Sequence, residues 1–422
     1  MNIDDYSLTD PEFFAKGDPW SVWAQLRKED PVHLTKSRFG LDFWSVTTHA
    51  EVREVLKDPA RFSSQRSGPS LPTSADMADP SKTDHARIQR DGGMMPSMDP
   101  PRHTMLRADF AERFGPREVT AMTGKIQPLV SRIVDKMLAK GEFELVGAMA
   151  ELPNSVIFTL MDIPETDWAM LFRYSNMHAA PHDPDFSVGT PLETRQRGSG
   201  GNMQYCRQLA LKRREHPGDD VISAIATAKV NDEYLSDDAL GLMGHMFIIA
   251  GYDTTRNSLV EGLYQFAQHP EEMDRVHGNS ALLNTLPDEL IRWTSPVAHL
   301  LRTATADTEL KGRKIKEGDL VAVWMASANR DESAFSHPQR FDIGRKPNPH
   351  VGLGFGPHFC LGAYLAKLEM RLMMQEFVSR IEKIEQTAEG ARVEGIQFWG
   401  WKRMPVRVTP RAHRTARTQL SA

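Results

Sequence analysis

Apolar residues recur at helical spacing over much of the chain. Two clear stretches, 124–140 and 151–162, repeat apolar positions every three or four residues, and each predicts a core helix. A third begins at Ser236, a good N-cap followed by two aspartates, and meets no proline until Pro270. It predicts a helix of about thirty residues, about 45–50 Å long at 1.5 Å per residue. Such a helix would cross the whole molecule.

Shorter patterns add strands and further helices. Residues 43–47, 300–304 and 321–324 carry β-branched or aromatic residues between turn signals, and they predict short strands. Residues 10–30 and 50–56 have helical spacing. The chain is therefore predicted to be mainly α with smaller β regions.

Two stretches lose this periodicity. Residues 63–97 consist largely of Ser, Pro, Gly, Asp and Met. Such a long loop is either a mobile surface segment or a lid over a pocket, with Met94 and Met95 as adaptable apolar contacts.

The second irregular stretch, 166–215, is predicted to be interrupted at His178–His182 and again by the glycines of residues 198–201. The two histidines are four residues apart, but Pro181 between them argues against a metal site on one helix face.

Composition limits the function classes. The chain has 422 residues, 40% of them hydrophobic and 25% charged, as in soluble globular proteins. A net charge of −5 gives no case for nucleic-acid binding. The N-terminus lacks the features of a signal peptide, and the longest apolar run, 242–249, is too short to span a membrane. We expect no membrane span.

Cysteine usage and linkers bear on location and domains. Only two cysteines are present, which argues against a disulfide framework and fits a reducing, cytoplasmic location. We interpret Cys206, in a helical pattern without partner ligands, as structural. No long linker divides the chain, so residues 1–410 are predicted to form one domain. The basic tail 411–422 is predicted to be disordered.

Candidate chemistry centres on Cys360. It follows a glycine-rich loop and precedes a helical pattern, so it is predicted to lie near a helix N-terminus, which favours a thiolate. The surrounding glycines leave room for a flat cofactor, and a thiolate is a strong ligand of haem iron. Two alternatives stay open on these features alone: a small buried hydrophobe, or a phosphate loop, although the Gly-Lys-Ser/Thr ending is absent.

The loop resembles the haem-binding loop of the cytochrome P450 family. The residues at the positions that this pattern requires are Gly354, Gly356, His358, Cys360 and Gly362. Leu353 stands where the family usually has phenylalanine. The resemblance implies a haem b cofactor, with Cys360 as the axial ligand of the iron and Gly362 beside the cofactor. The haem would lie between the long central helix and the cysteine-bearing loop.

The middle of the long helix carries the run from Ala250 to Arg256. Gly251 is a poor helix former, and the hydroxyl of Thr254 can bond the carbonyl four residues back and bend the helix. Read alone, Asp253 is most simply a local partner and Thr254 a packing residue. The run also resembles the oxygen-activation motif of the same family. That resemblance implies that Thr254 stabilises activated oxygen, that Asp253 is the acid of a proton relay, and that Ala250 and Gly251 lie against the haem.

Further contacts follow from the resemblance. His103 and Arg107 share one face of a helix, which read alone is a solvated cationic face. In the family such a pair binds the haem propionates, and Arg302 and His358 would join it. The residues expected to line the substrate pocket are Met94, Met95, Met246, Ile249, Ala250, Val297, Phe398 and Trp399.

Glu289 and Arg292 form an i,i+3 pair on a predicted helix. Alone, such a pair is usually a surface salt bridge worth less than about 1 kcal/mol. In the resembled family a downstream arginine, here Arg340, completes a buried network that fixes the cysteine loop. We predict a structural role for all three.

Together these motifs imply a haem-thiolate monooxygenase that hydroxylates or epoxidises its substrate. No flavin or nicotinamide fingerprint is present, so electrons would come from a separate ferredoxin and ferredoxin reductase. Several stretches resemble a bacterial branch that oxidises steroids, terpenes and aliphatic chains. We therefore expect a largely apolar, medium-to-large substrate.

Three alternatives differ in chemistry. A haem peroxygenase or isomerase would need no electron partner, and a haem sensor or carrier would need no proton relay. A zinc scaffold would use His350, His358 and Cys360, although zinc sites have four closed ligands and no fourth stands nearby.

Overall fold

A computed structural model describes residues 5–37, 40–74 and 94–412 of the protein. Residues 75–93 of the irregular stretch and 413–422 of the predicted tail lie outside the described residues.

The described chain is dominated by helices. The α-helices are α1 (Pro11–Lys16), α2 (Pro19–Glu29), α3 (His49–Lys57), α4 (Arg102–Ala111), α5 (Pro116–Ala121), α6 (Thr123–Lys140), α7 (Leu145–Leu160), α8 (Glu165–Ala179), α9 (Pro191–Glu215), α10 (Val221–Thr227), α11 (Asp237–Gln268), α12 (Pro270–Gly278), α13 (Leu286–Thr294), α14 (Met325–Ala328) and α15 (Ala363–Arg380). Short 3₁₀ turns occur at Asp5–Thr9, Met95–Ser97, Ser280–Asn284 and Gly356–His358.

The strands are short. They are β1 (Val32–Thr35), β2 (Phe43–Val46), β3 (Phe62–Ser63), β4 (Glu142–Glu144), β5 (Lys229–Val230), β6 (Glu233–Tyr234), β7 (His299–Ala304), β8 (Thr308–Leu310), β9 (Arg313–Ile315), β10 (Leu320–Trp324), β11 (Ile381–Gln386), β12 (Ala391–Arg392), β13 (Trp401–Arg403) and β14 (Pro405–Pro410). The largest sheet has the order β1-β2-β10-β7-β3, with β2 and β10 parallel and the other neighbours antiparallel. The predicted class, mainly α with smaller β regions, is confirmed.

Helix α11 is the predicted central helix, and it spans Asp237–Gln268. The Ser236 hydroxyl accepts a hydrogen bond from the Ala239 amide at 3.3 Å, which caps the first turn. The helix stops before Pro270, which begins α12. It packs against α7, α9 and α15, so it runs through the main hydrophobic core.

The glycines of residues 198–201 do not interrupt the chain as predicted. They lie inside the continuous helix α9. A Cβ atom on Gly198 would lie 2.5 Å from the Tyr174 carbonyl oxygen, and one on Gly201 would lie 2.5 Å from the Tyr174 ring. Their role is close packing of α9 on α8, which outweighs the low helix propensity of glycine.

The predicted helix 10–30 is divided into α1 and α2. The break falls at Gly17 and Asp18, and Asp18 caps α2 by accepting from the Ser21 amide at 3.2 Å. The other predicted helices and strands exist, with ends shifted by a few residues. Helix α7 begins six residues before the predicted start at Glu151.

Candidate active site

A single stretch of α11 faces an open space inside the protein. Between residues 239 and 263, every residue is buried except Ala250, Gly251 and Thr254. These three line a cavity of about 330 Å³. The Thr254 hydroxyl donates to the Ala250 carbonyl at 3.1 Å, as the spacing predicted. The floor of this space is therefore a helix segment with little side-chain bulk.

The cysteine loop forms another part of the cavity wall. Leu353, Gly354, Cys360 and Gly362 line the same cavity. Gly354 and Gly356 have φ values of +72° and +71°, a left-handed conformation that favours glycine. The Cys360 amide donates to the Leu353 carbonyl at 2.8 Å and closes the loop just before α15. The cysteine and the Ala250–Thr254 segment therefore line the same cavity.

Opposing effects act on the pKa of the Cys360 thiol. Burial raises its pKa, while a backbone hydrogen bond from Gly362 and the charges of Arg107 and Lys367 act in the opposite direction. The helix N-terminus alone therefore does not make it a thiolate. A metal ion bound to the sulfur would, because a coordinating thiol is deprotonated outright.

A cationic edge lies beside the cysteine loop. His103, Arg107, Arg302 and His358 all line the cavity. The His103 and His358 rings lie 4.0 Å apart between centroids. Arg107 Nη2 donates to the Phe359 carbonyl at 2.6 Å, and Arg302 Nη1 donates to the Leu301 carbonyl at 2.8 Å. Within the described residues, neither guanidinium forms an ion pair with a carboxylate.

His103 of this edge lacks partners, whereas His358 Nε2 lies 3.2 Å from the Ser64 hydroxyl. His103 is 1% exposed, and both of its ring nitrogens are buried without a hydrogen bond. Burial and the charge of Arg107 lower its pKa to about 4, and burial and Arg302 lower the pKa of His358 to about 2. A bound anion would satisfy His103 and neutralise the two arginines. The residues present therefore fit a flat cofactor that carries carboxylates, such as haem.

Asp253 does not line the cavity. It is 2% exposed, and its Oδ1 lies 2.8 Å from Arg256 Nη2. Burial raises the pKa of Asp253, and the charge of Arg256 acts in the opposite direction. Arg256 also hydrogen bonds to the Tyr252 hydroxyl and to Asn257 Oδ1. The predicted acid is thus held on the protein side of α11 in this conformation.

The predicted pocket residues divide into two groups. Those that line the cavity are Met94, Met95, Met246, Ile249, Ala250, Val297 and Phe398. Trp399 is the exception, and its prediction is corrected: it is 7% exposed and belongs to an aromatic cluster with Phe14, Trp20 and Trp23. In this hairpin, the Val297–Phe398 bridge directs Phe398 to the cavity and its neighbour to the core.

The Glu289–Arg292 pair is fully buried, with Nε–Oε2 and Nη2–Oε1 distances of 2.7 and 2.8 Å. The third side chain is Arg345, whose Nε donates to Glu289 Oε2 at 3.1 Å. The predicted Arg340 is exposed and contributes only its carbonyl, which accepts from both arginines. Phe341 packs into the core, so its neighbour Arg340 points outward.

This network reaches the cysteine loop through Asn329, which the sequence analysis did not identify. Arg292 Nη1 donates to the Asn329 carbonyl at 2.9 Å, and Asn329 Oδ1 accepts from the Val351 amide at 2.8 Å. Val351 precedes the glycine-rich loop. A lone asparagine far from every motif carries no sequence signal of this role.

His350 and Cys360 do not form a metal site. His350 Nε2 lies 2.9 Å from Asp288 Oδ1, away from the cavity. Among the residues that the structure describes, no group of three His, Cys, Asp or Glu side chains is placed to hold a metal ion. The zinc alternative therefore has no support here. Cys206 is fully buried in the core, and burial raises its pKa to about 12.

Comparison with known proteins decides the family. Residues 204–391 match the family model described as Cytochrome P450. The chain is 36% identical over 394 residues to a putative cytochrome P450 126 of Mycobacterium tuberculosis, covering 89% of this chain and 91% of the relative. The chain belongs to the cytochrome P450 family. The cytochrome P450 fold also explains the pairing of a glycine-flanked cysteine with a small-residue segment of the long helix.

Other relatives and solved structures agree. The chain is 30% identical over 407 residues to the linalool 8-monooxygenase of Pseudomonas putida, covering 96% of this chain and 99% of the relative. The structure of Mycobacterium marinum CYP268A2 in complex with pseudoionone superposes with a TM-score of 0.85 at 30% identity, covering 96% of this chain and 98% of the other. The protein is a cytochrome P450 monooxygenase with a haem iron cofactor, acting on its substrate with O2 and a redox partner. Over the described residues, no helix has the length and apolarity needed to cross a bilayer.

Proposed function

We propose that this cytochrome P450 hydroxylates or epoxidises a largely apolar, medium-to-large substrate with electrons from a ferredoxin and its reductase. The observation that carries the proposal is the cavity that Cys360 and Thr254 both line, whose remaining wall is mostly apolar, with Met, Ile, Leu, Val, Phe and Pro side chains. Relatives named for their substrates include a steroid C26-monooxygenase and a methyl-branched lipid omega-hydroxylase. A steroid, terpenoid or fatty acyl substrate fits this lining.

The cofactor is proposed to be haem b, held by Cys360 and by noncovalent contacts. His103, Arg107, Arg302 and His358 would hold the propionates, and Gly362 would lie beside the macrocycle. Cys206 is buried in the core away from the cavity, so no cysteine remains for a thioether bond. Bound haem would supply the oxidising chemistry.

The protein's own residues would then orient the substrate and transfer protons. Met246, Ile249 and Val297 would position the carbon to be oxidised and exclude water. Thr254 Oγ1 donates to the Ala250 carbonyl, so its lone pairs are free to accept a hydrogen bond from a group in the cavity. Asp253 would deliver protons toward Thr254 after its carboxylate separates from Arg256.

The electron donor would dock on the face nearest Cys360. Phe359 and Tyr364 flank the cysteine there and are 40% and 52% exposed. A small exposed apolar area fits a weak, transient partner such as a ferredoxin.

The test of the function is the reduced, carbon-monoxide difference spectrum of the haem-loaded protein. A strongly red-shifted Soret band is expected for thiolate ligation. Product formed with ferredoxin, reductase and ¹⁸O₂ should then carry one labelled oxygen atom. Turnover with peroxide alone, and none with the electron partners, would favour the peroxygenase alternative.

Replacing Thr254 by Ala is expected to leave haem and substrate binding intact. Loss of the hydroxyl should divert electrons to peroxide. Because positioned proton transfer typically contributes about 100- to 10,000-fold, product per electron should fall at least about tenfold. The measurement is the ratio of product and hydrogen peroxide to electrons consumed. Thr254→Ser is the matched control and should keep most of the coupling. Unchanged coupling in Thr254→Ala would refute the proposed role.

A further inference from the structure

A pair of histidines lies in the cavity wall, apart from the cationic edge. His178 belongs to α8 and His245 to α11, and both line the cavity. Their ring centroids are 4.6 Å apart and their planes are nearly perpendicular, at 82°. His245 is 2% exposed, and its neighbours in the wall, including Met246 and Ile249, are apolar. The pair is therefore a polar point in an apolar surface.

Both imidazoles are short of partners. The Nδ1 atoms of His178 and His245 are buried without a hydrogen bond. Across residues 5–37, 40–74 and 94–412, neither ring forms a hydrogen bond through its other nitrogen. A neutral imidazole offers one donor and one acceptor, and leaving buried polar atoms unpaired is destabilising. The Nδ1 atoms are closed off by the protein, whereas the Nε2 atom of each ring is not fully buried, so Nε2 is the ring position with which a ligand atom in the cavity would pair.

The charge near the pair is positive. Arg195 of α9 is close enough to affect both rings, and its Nε is buried without a partner. Burial, then the charge of Arg195, lowers the pKa of His245 to about 4, and burial followed by His245 and Arg195 lowers that of His178. Both rings are thus neutral at pH 7. Among the described residues, no carboxylate pairs with Arg195.

The surrounding helices hold the pair in place. A Cβ atom on Gly198 of α9 would lie 2.8 Å from the His178 amide nitrogen, and one on Gly244 of α11 would lie 2.3 Å from Cys206 Cβ of α9. Both glycines are therefore required for the close approach of α8, α9 and α11. This packing preorganises the two rings before any ligand arrives.

We propose that His178 and His245 form a polar anchor that binds an oxygen acceptor, a carboxylate or carbonyl, on an otherwise apolar substrate. The positive charge of Arg195 favours the carboxylate. His245 precedes Thr254 by nine residues, roughly 13 Å along the helix axis at 1.5 Å per residue. The anchored oxygen therefore lies at the end of the substrate remote from the oxidised carbon. This inference rests on the proposed monooxygenase function and specifies its substrate class.

The test compares matched ligands by optical titration of the haem-loaded protein, read as the low- to high-spin shift. The probes are hexadecanoic acid, methyl hexadecanoate and hexadecane, with androstanone and androstane as a second skeleton. In at least one skeleton, the oxygenated ligand is expected to bind at least about tenfold more tightly than the hydrocarbon. A hydrogen bond from the anchor to the ligand oxygen supplies a difference of this size. If the acid binds more tightly than the ester, the group that the anchor recognises is a carboxylate. If the two bind equally, that group is a carbonyl. Both support the anchor.

Substitutions then locate the anchor. His245→Leu and His178→Leu should each remove the preference and weaken the oxygenated ligand about tenfold, with hydrocarbon binding nearly unchanged. His245→Gln keeps an N–H donor and should retain most of the preference. His216→Leu replaces an exposed histidine that follows α9 and should change neither affinity.

Three results would overturn the anchor: equal affinity for the oxygenated ligand and the hydrocarbon in both skeletons, a preference that survives both leucine variants, or no binding of any oxygenated probe. In each case, a normal thiolate spectrum would still support the monooxygenase function. Absence of that spectrum in the wild-type protein would instead refute the proposed function itself.

Discussion

Replacing Cys360 by Ser is expected to abolish the red-shifted Soret band of the reduced, carbon-monoxide complex. Serine is nearly isosteric, but its hydroxyl is a far weaker ligand of haem iron than a thiolate. Loss of an outer-shell partner of a metal typically lowers activity by about 10–100-fold, so loss of the ligand itself should lower it at least about a hundredfold. The measurements are the difference spectrum and product formation at equal haem content.

The other cysteine is the control. Cys206 is fully buried, lies outside the cavity and packs beside Gly244. Cys206→Ala should therefore keep the spectrum and change stability only modestly. A wild-type spectrum in Cys360→Ser would place the ligand elsewhere and remove the central assignment of this site.

The second large effect is expected from Glu289→Ala. This change leaves the guanidinium groups of Arg292 and Arg345 buried without their shared carboxylate. Removing one partner of a buried ion pair destabilises a protein by about 3–5 kcal/mol. Through Asn329 the network also holds Val351, which directly precedes the glycine-rich cysteine loop, so haem retention should fall together with stability. The measurements are the urea midpoint and the haem-to-protein ratio.

The variant Arg340→Ala tests which arginine, Arg340 or Arg345, completes the buried network with its side chain. Arg340 is exposed and contributes its carbonyl, which alanine keeps. The expected change in unfolding free energy is within about 0.5 kcal/mol. Arg345→Ala should instead resemble Glu289→Ala. The assignment of Arg345 would be wrong if Arg340→Ala were the damaging variant.

The two errors in the site predictions have the same origin. Arg340 and Arg345 lie five residues apart in a loop, and nothing in their local sequence distinguishes the inward from the outward one. Trp399 and Phe398 are adjacent aromatic residues. In an extended hairpin, neighbouring side chains point to opposite faces, so one of the two faces the cavity and the other the core. Register and side-chain direction in such segments depend on neighbours from distant parts of the chain.

The histidine pair shows a second limit of prediction from sequence. His178 and His245 are 67 positions apart in the numbering, and each alone is an ordinary residue of a helix. Their meeting depends on Gly198 and Gly244, whose function is to let helices approach closely. In the sequence, the glycines of α9 instead resembled a break in the helix.

The sequence by itself determined the long helix, the position of Thr254 within it and the glycine-flanked Cys360 before the last long helix. These features rest on local rules: an N-cap, the absence of proline, hydrophobic spacing, and glycines that accept positive φ values. The tertiary structure alone decided that Asp253 pairs with Arg256, that Arg345 completes the buried network, and that two unpartnered histidines face the cavity. Those outcomes depend on packing between residues distant in sequence, because burial and pairing energies are set by the neighbours that the fold brings together.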